Sequence, residues 1–436
     1  MLKFSKISNR GQRESNLRYL KQCNINFEDP LKKVALQKLF VNSQVMLIYG
    51  AAGTGKTTLI NYISNMMNQS KKLFLTKTHT ALQNLERRIE NPGLDSDFIS
   101  IDSFTKTITL TDYDIVFVDE CSTIDNRTMK RLLEKIDEST LLVLAGDIYQ
   151  IESIDFGNWF YYAKDIIKTD GANVELLNTW RTDKKELKGL WDEVRKIQPI
   201  ITEKLAIDGP FSADIGEEIF VSQDEDEIVL CLNYDGKFGL NNMNLYFQNA
   251  NTKSEVYTWA EWTFKVGDPV IFLDTKRSPI LYNNLKGRIV DISKRDSAIL
   301  FTLDIDTILT ERQCRNESFE FVDVTDRGTR IRLEVIASDD ESAPEEERFK
   351  TIIPFQIAYA VSIHKAQGLE YNSVKIIIPS YNAEKISHSI FYTAITRAKE
   401  KLKIFWSAET MKAIVESFDK EKIGQRTLKF IEKKLE

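Results

Sequence analysis

The feature that most constrains this chain is the stretch at residues 45–58, VMLIYGAAGTGKTT. Val45 to Tyr49 form an apolar run with strand composition, and apolar residues at helical spacing follow the stretch. Between them lies a glycine loop of the form G-x-x-x-x-G-K-T. Strand, glycine loop and helix in this order predict a phosphate-binding loop, because such a loop turns backbone N–H groups toward phosphate oxygens at a helix N-terminus.

Each position of the loop has an expected role. Lys56 is expected to contact the β- and γ-phosphates of a nucleotide, and the Thr57 hydroxyl is expected to ligate Mg²⁺. The predicted nucleotide-binding residues of the loop are Gly50, Ala52, Gly53, Thr54, Gly55, Lys56, Thr57 and Thr58. A chance glycine-rich turn with one lysine is the alternative, and the agreement of the flanking strand and helix disfavours it.

The length and composition of the chain indicate a multidomain globular protein. Its 436 residues exceed one ordinary core, so two or three domains are expected. Hydrophobic residues make up 42% and charged residues 28%, which is typical of soluble proteins. The formal net charge of -6 excludes a uniformly basic surface but leaves room for local nucleic-acid-binding patches.

Cysteine spacing and hydropathy indicate the cytoplasm. The four cysteines lie far apart and include no C-x-x-C pair, so neither a zinc site nor a disulfide framework is expected. The N-terminus has no apolar segment of the secretory type, and no apolar run approaches the roughly 18 residues of a membrane span. We therefore expect a cytoplasmic protein with no membrane partner.

Strand-like runs alternate with helical patterns in the first part of the chain. The predicted strands are 73–76, 115–118, 141–145 and 174–177, and the predicted helices are 31–40, 81–90 and 126–136. This alternation predicts an α/β fold with a parallel sheet covered by helices on both faces. Ligands of such sheets bind at the carboxyl ends of the strands, so functional residues are expected there.

A different composition begins near residue 250. Short strands at 266–272, 286–290 and 298–303 predict a small β-barrel or sandwich. The acidic run 339–347 is expected to be a mobile loop, and the α/β alternation returns from residue 357. The predicted organisation is an N-terminal arm or solvated terminus at 1–27, a first α/β core at 28–175, a second core at 176–249 and 357–436, and a β-rich insertion at 250–356.

Polar residues follow two of the predicted strands. Asp119 is expected to hold Mg²⁺, directly or through water, and Glu120 is expected to accept a proton from an attacking water. A strand that merely ends in solvated acids is the alternative. Gln150, in the sequence GDIYQ, is placed to hydrogen-bond a γ-phosphate or the attacking water.

Two arginines are candidates for stabilising the charge that develops on a γ-phosphate. Arg181 lies in the sequence NTWR and Arg397 in AITRA, and either guanidinium could act as an arginine finger. By spacing alone, each arginine is also compatible with an ordinary surface position. Together with Lys56, Glu120 and Gln150, they complete the predicted catalytic set.

The motifs together resemble those of superfamily 1 helicases, in particular the RecD and Dda branch. Besides the phosphate loop, the similar stretches are Asp119–Ser122, Gly146–Gln150, Arg181, His364–Glu370 and Tyr392–Lys399, with Thr78–Ala81 as a shorter one. They follow the order of the family's motifs and extend over the chain from about residue 31 to 406. The sequences Asp-Glu-x-Ser and His-Lys-x-Gln-Gly favour this branch, which moves 5′ to 3′ along single strands.

The resemblance implies two RecA-like parallel-sheet cores with ATP in the cleft between them, and a small SH3-like β insert in the second core. The first core would supply Lys56, Thr57, Asp119, Glu120 and Gln150, and the second would supply Arg181, Gln367, Glu370 and Arg397. The implied ligands are ATP, Mg²⁺ and single-stranded DNA.

Nucleic-acid contacts are expected on both cores, because a translocating motor must hold its strand at two places. The candidates are Thr78, His79, Ser103 and Phe104 on the first core, and His364 and Lys365 on the second. For His79 and Phe104, plain packing is an equal alternative.

The sequence departs from the family pattern at two positions, one expected to recognise the adenine base of ATP and the other expected to separate duplex DNA. The family has a glutamine that reads adenine ahead of the phosphate loop; Gln37 is the candidate here, but it lies nearer the loop than usual, and Lys32 is close to the equivalent helix position. The branch also carries a β-hairpin pin before Asp119, whereas only Thr105 to Asp114 are available for it here. We therefore predict weak duplex unwinding by the isolated chain.

Two other functions are compatible with the sequence. One is a binding module that is switched by nucleotide, with a protein partner in a larger repair or defence complex, and the other is an RNA helicase. The presence of Glu120, Arg181 and Arg397 favours turnover over a simple switch. Hydrolysis stimulated by single strands would separate these alternatives.

Overall fold

A computed structural model describes residues 30–418, except 42, 91, 94, 107–111, 138, 152–156, 208, 223, 253, 274–277, 279 and 338–350. The described chain forms two compact units. The first contains residues 30–202, 386–400 and 412–418, and the second contains residues 203–385 and 401–411. None of the helices in these described ranges is long and apolar enough to cross a membrane.

A six-stranded parallel sheet organises the first unit. Its strands are β1 (Val45–Gly50), β2 (Lys72–Thr76), β3 (Ser96–Ser100), β4 (Ile115–Val118), β5 (Leu141–Gly146) and β6 (Asn173–Leu176). They lie in the order β3-β2-β4-β5-β1-β6, and each neighbouring pair is parallel. The predicted α/β fold class is confirmed, and the predicted strands match to within one residue at each end.

Both faces of this sheet are buried, which explains why its strands are continuous apolar runs. Val116 and Val118 belong to one hydrophobic cluster, whereas Ile115 and Phe117 belong to another. Successive side chains of a strand point to opposite faces, so each face has its own core. The helices that precede, connect and follow the strands are α1 (Pro30–Gln37), α2 (Lys56–Met66), α3 (His79–Arg88), α4 (Ile101–Lys106), α5 (Asn126–Lys135), α6 (Trp159–Ile166), α7 (Lys185–Arg195) and α8 (Ile201–Lys204).

The second unit contains two larger sheets and a hairpin. Its strands, of which the last begins in the first unit, are β7 (Ser212–Ala213), β8 (Glu227–Cys231), β9 (Tyr257–Trp259), β10 (Trp262–Phe264), β11 (Pro269–Phe272), β12 (Lys286–Lys294), β13 (Ala298–Ile305), β14 (Glu320–Thr325), β15 (Gly328–Ile336), β16 (Phe355–Ile357), β17 (Ala360–Ser362), β18 (Tyr371–Ile377) and β19 (Ala398–Phe405). The remaining helices of the described chain are α9 (Leu240–Ala250), α10 (Glu311–Cys314), α11 (His388–Ile395) and α12 (Ala408–Ser417).

The two larger sheets of the second unit differ in pairing. One has the order β17-β8-β18-β19-β7, with β17 and β18 parallel to β8 and β19 parallel to β7. The other is antiparallel, in the order β14-β15-β13-β12-β11-β16, and has its own core. This antiparallel sheet is compatible with the predicted β insert.

Buried polar contacts attach the antiparallel sheet to α9 and to the start of β17. Asp268, which is fully buried, accepts hydrogen bonds from the side chains of Gln248 at 2.7 Å and Tyr359 at 2.9 Å. The ammonium of Lys265 donates to the carbonyls of Gln248 and Asn251. Because these groups are removed from water, losing one partner would leave the other unsatisfied, so the network fixes the insert on its α/β core.

The compact units differ from the predicted domain bounds in three places. Residues 176–202, 386–400 and 412–418, expected in the second core, lie in the first unit. The reason is the contact between α7 and α11: Trp191 Nε1 donates to the Ile395 carbonyl at 3.1 Å, and a ring nitrogen of His388 lies 2.7 Å from the Val194 carbonyl oxygen. The predicted arm at 1–27, the acidic run at 339–347 and residues 107–111 of the short pin segment lie outside the described residues.

Candidate active site

Three neighbouring strands of the first unit bring the predicted phosphate-site residues together. Tyr49 pairs with Gly146 between β1 and β5, and Val118 pairs with Leu144 between β4 and β5. The phosphate loop, Asp119 and Asp147 therefore begin where three adjacent parallel strands end. The carboxyl edge of the sheet is the place where the α/β fold was expected to bind its ligand.

The phosphate loop has the backbone that its glycines predict. Gly53 and Gly55 have φ angles of 73° and 81°, in the left-handed region that favours glycine. The Thr54 hydroxyl donates to the Ala51 carbonyl at 2.9 Å, and α2 begins at Lys56. The Lys56 ammonium donates to the carbonyls of Gly50 and Ala51, both at 2.9 Å. Burial lowers its pKa, and the charges of Asp147 and Asp119 oppose that shift.

Thr57 and Asp119 form the pair of oxygen ligands that the sequence predicts for a metal. The Thr57 hydroxyl donates to Asp119 Oδ2 at 3.1 Å, and the backbone N–H of Glu120 donates to Asp119 Oδ1 at 2.8 Å. Burial raises the pKa of Asp119, whereas the Glu120 N–H bond and Lys56 lower it. A hydroxyl and a carboxylate are ligands that suit Mg²⁺, which usually takes few protein ligands and completes its shell with phosphate and water.

Glu120 is held in an uncommon backbone conformation. Its φ angle is 53°, in the left-handed region where side-chain-bearing residues are rare and which costs on the order of 1 kcal/mol or more. The Glu120 carbonyl accepts from both the N–H and the hydroxyl of Thr123, which fixes the turn after the strand. Burial raises the pKa of Glu120 to about 7; the Asp119 charge adds to the shift, and Arg397 and Lys56 oppose it.

Arg181 and Arg397 both lie in the first compact unit and contact the same residue, Thr396; the expectation that a second core supplies them stays a prediction. Arg181 Nη1 donates to the Thr396 carbonyl at 2.7 Å, and Arg397 Nη2 donates to the Thr396 hydroxyl at 3.1 Å. Arg397 is only 1% exposed, and its Nε donates to the Thr393 carbonyl. Burial lowers its pKa to about 9, the Arg181 charge adds to the shift, and Glu120 opposes it.

The segment that carries Arg181 packs directly on the phosphate loop. The Thr179 hydroxyl donates to the Ala52 carbonyl at 2.9 Å, and the Trp180 N–H donates to the Gly53 carbonyl at 2.7 Å. A Cβ added at Gly53 would lie 2.4 Å from the Arg181 Cβ. The glycine at position 53 is therefore required both by its own backbone and by the approach of this segment.

Asp147 belongs to this site and was absent from the predicted site residues. It is 3% exposed, Oδ1 accepts from the Tyr149 N–H at 3.0 Å, and Oδ2 has no hydrogen-bond partner among the described residues. Burial raises its pKa, and Lys56 and Arg397 are among the charges that oppose the shift. Asp147 could have been predicted from the same pattern that predicted Asp119, which is an acidic residue immediately after a buried strand. Gln150 follows in the same turn and is half-buried.

Lys32, rather than Gln37, is the residue of α1 that the structure brings to the phosphate loop. A Cβ added at Gly55 would lie 2.5 Å from the Lys32 Nζ, and that ammonium lies 5.6 Å from the centroid of the Trp180 ring. Gln37 is the last residue of the same helix and is half-buried. The assignment of Gln37 to the base therefore stays a prediction.

The predicted nucleic-acid contacts of the first unit divide into exposed and buried residues. Thr78 and Ser103 are exposed and follow the neighbouring strands β2 and β3, and exposed His79 begins α3. The Thr78 hydroxyl caps α3 by accepting from the Ala81 N–H at 3.2 Å. Phe104 is different: it is 5% exposed and packs in the hydrophobic core, so its ring is unavailable for stacking on a base.

The remaining predicted residues lie in the second unit. His364 is exposed, Lys365 and Gln367 are half-buried, and all three follow β17. The Lys365 N–H donates to the Ser362 hydroxyl, and burial lowers the pKa of the Lys365 side chain. Glu370 is half-buried, and its carbonyl accepts from Lys286 at 3.4 Å. The expected contacts of Gln367 and Glu370 with ATP stay predictions.

This fold and this site define a phosphate-loop nucleotide hydrolase. Comparisons with known proteins narrow the class. The family described as AAA domain matches residues 32–207, and the family described as UvrD-like helicase C-terminal domain matches residues 357–404. The RecBCD enzyme subunit RecD of Buchnera aphidicola subsp. Acyrthosiphon pisum is 22% identical over 453 residues, covering 88% of this chain and 74% of the relative. The same subunit of Buchnera aphidicola subsp. Schizaphis graminum is 21% identical, covering 87% and 73%.

Solved helicase structures share the fold. Pif1 from Bacteroides bound to ssDNA has a TM-score of 0.53 at 14% identity, covering 89% of this chain and 94% of that one. Pif1 from Candida albicans also has a TM-score of 0.53 at 14% identity, covering 89% and 98%. The matches to a UvrD-like helicase domain and to the RecD subunits support an ATP-dependent DNA helicase, and the Pif1 structures show the same fold.

Proposed function

We propose that this helicase moves 5′ to 3′ along single-stranded DNA and hydrolyses ATP at the carboxyl edge of its first sheet, with Mg²⁺ held by Thr57 and Asp119. The observation that carries the proposal is the convergence of Arg181 and Arg397 on Thr396, in the same unit as the phosphate loop and the acids. Two cations and a carboxylate of raised pKa beside a phosphate loop are suited to turnover rather than to binding alone.

The roles of the residues follow from their chemistry. Glu120 is the general base: a carboxylate with a pKa of about 7 is poised to accept a proton near neutral pH, and the turn at Thr123 fixes it. Lys56 and the loop N–H groups bind the phosphates. Bound Mg²⁺ would supply further positive charge at the phosphate oxygens. Arg181 and Arg397 would stabilise the charge that develops during transfer, and Gln150 would orient the attacking water.

The binding of the strand rests on the exposed polar residues that follow β2, β3 and β17. Hydroxyl and imidazole groups such as those of Thr78, Ser103 and His79 suit phosphate oxygens, which carry no sequence information. His364 and Lys365 would contact the strand on the second unit. Such contacts give a grip that does not depend on base sequence, which a motor that moves along DNA requires.

A protein partner is part of the proposal. The relatives from Buchnera are named as subunits of the RecBCD enzyme, so we propose that this chain also works within a larger assembly. The competing function is a binding module that uses nucleotide only as a switch. The position of Glu120 beside the Thr57–Asp119 pair favours hydrolysis, and an RNA substrate is the further alternative that the experiment includes.

The test is an ATPase assay of the full chain with oligo-dT, oligo-rU and no nucleic acid. We expect strong stimulation by the DNA strand and little by the RNA strand. A rate that is the same in all three conditions would support the nucleotide-switched module instead. Stimulation mainly by oligo-rU would assign the chain to RNA.

Direction is tested separately, by displacement of streptavidin from single strands biotinylated at one end. A motor that moves 5′ to 3′ clears the 3′ end faster, because it runs toward that end. Faster clearing of the 5′ end would refute the proposed direction while leaving the ATPase assignment intact.

A further inference from the structure

Three adjacent strands of the second unit end at one edge of their sheet. β8 pairs in parallel with β17 on one side and with β18 on the other. Because neighbouring strands lie about 4.8 Å apart, the loops that follow them form one continuous surface. These loops are residues 363–370 after β17, 232–239 after β8 and 378–385 after β18.

Two tyrosines stand out on this surface. Tyr234 follows β8 and is 60% exposed, and Tyr381 follows β18 and is 57% exposed. Covering a tyrosine ring with another apolar surface removes it from water and is favourable. A pair of largely exposed rings at adjacent strand ends is therefore available for a planar partner. The Tyr381 hydroxyl would lie 3.4 Å from a Cβ at Gly236, so this ring reaches the loop that carries Tyr234.

The loops beneath the two rings are fixed. Asn233 Nδ2 donates to Asn382 Oδ1 at 2.8 Å, and Asn382 is only 3% exposed. The first turn of α9 also returns to the loop after β8: the Asn241 N–H donates to the Tyr234 carbonyl at 3.0 Å. A rigid support lowers the conformational entropy that a ring loses when a partner stacks on it.

The charges around the rings indicate what kind of partner fits. His364, Lys365, Lys237 and Lys385 lie in these loops, but so do Asp235, Glu370 and Glu384. The surface therefore attracts a phosphate backbone only weakly, and its affinity must come from the rings. Stacking on aromatic side chains is the interaction that single-stranded nucleic acids offer irrespective of sequence, because every base has a π-face.

We propose that Tyr234 and Tyr381 form a stacking platform for unpaired bases of the single strand on the second unit. The proposal rests on the proposed function, since it takes single-stranded DNA as the ligand. The platform lies at the same edge as His364 and Lys365, which would contact the phosphates beside it.

The experiment compares the affinity of the full chain for two fluorescein-labelled strands, oligo-dT and an abasic strand of equal length, by fluorescence anisotropy. Tyr234→Ala and Tyr381→Ala should each raise the Kd for oligo-dT roughly 5- to 150-fold, the loss expected for one base stack. The Kd for the abasic strand should change less than about twofold, because that strand has no bases that could stack on the tyrosine rings. Tyr234→Phe and Tyr381→Phe should keep the parent affinity.

A matched control is Tyr246→Ala, which removes a tyrosine of α9 that is 48% exposed and packs edge-on against Phe220. It should leave both Kd values unchanged. Equal losses on both strands, unchanged binding of oligo-dT, or the same loss in the Phe variants would each overturn the platform. If the parent chain itself fails to bind oligo-dT, the proposed function fails rather than the platform alone.

Discussion

The carboxyl edge of the first sheet carries two surfaces of opposite character. Where β4 and β5 end, Asp119 and Asp147 are 8% and 3% exposed and lie among charged groups. Where β2 and β3 end, Thr78, His79 and Ser103 are exposed. The edge of one sheet thus presents buried acids where β4 and β5 end, and exposed hydroxyl and imidazole groups beside the Lys77–Asp102 ion pair where β2 and β3 end.

The difference between the two surfaces fits the two roles that we propose for them. Charge stabilisation during phosphoryl transfer is strongest where water is excluded, so the site for chemistry keeps its charges buried and accepts their desolvation. A moving grip must release its strand repeatedly, so weak and exposed contacts suit it. Substitutions should therefore have large effects on turnover at the first surface and small effects on affinity at the second.

The largest effect is expected from Lys56→Ala. Removing the ammonium leaves the β- and γ-phosphate charge without its partner, so hydrolysis should fall below detection in a coupled ATPase assay. Lys71→Ala is the control, because Lys71 is exposed and lies at the start of β2, the opposite end from the loops. Measurable turnover by the Lys56 variant would mean that the loop does not bind the reacting phosphate.

Arg181→Ala should lower turnover roughly 10³-fold while ATP binding survives, because the guanidinium acts on charge that appears in the transition state. Gly53→Ala should reproduce part of this loss, since its Cβ would displace the Arg181 segment. Lys184→Ala removes a nearby exposed ion pair with Glu400 and should cost almost nothing. A weakened nucleotide affinity with normal turnover would assign Arg181 to ground-state binding.

Glu120→Gln should lower turnover by at least about 10²-fold with nucleotide affinity retained, because the amide cannot accept the proton. The variant preserves the size of the side chain, so the left-handed turn should survive. Single-turnover hydrolysis and binding of a fluorescent ATP analogue measure the two quantities. Parent-like hydrolysis would show that another group is the base.

Phe104→Ala and His79→Ala compare the two kinds of residue within the predicted nucleic-acid surface. Phe104 packs near Tyr113, at 6.5 Å between ring centroids, so its loss should lower the free energy of unfolding by about 3–5 kcal/mol. His79→Ala should leave the stability unchanged and raise the Kd for oligo-dT only severalfold. Chemical denaturation and anisotropy separate them; a stable Phe104 variant with impaired DNA binding would restore the stacking role.

The sequence predicted the buried surface better than the exposed one, and the reason is physical. The apolar runs of β1, β4 and β5 are continuous because both faces of the sheet are covered, so each strand and the polar residue after it could be located from composition. Phe104 lies on a helix of six residues, Ile101–Lys106, which is too short for apolar spacing to reveal its buried face. Nothing in its local sequence separates a packed ring from an exposed one.

The sequence could not predict, for a different reason, that Arg181 and Arg397 lie in the same compact unit as the phosphate loop. This placement depends on the contact of α7 with α11, whose residues are about 200 positions apart. Local patterns predict the two helices but carry no information about which distant segments pack together. The predicted boundary at residue 176 followed the order of the chain and stays a prediction, whereas the compact units follow these contacts.

The first unit is built from chain segments that are separated by residues 203–385. This separation determines when, during synthesis, all parts of the candidate site are present. The phosphate loop and both acids leave the ribosome early, but Thr396 and Arg397 follow only after residues 203–385 of the second unit. At about 5–20 residues per second, the roughly 200 intervening residues take roughly 10–40 s to translate. During that interval the nascent chain holds the phosphate loop without Arg397, so from the role that we propose for this arginine we expect efficient ATP hydrolysis only after residues 203–385 have been made.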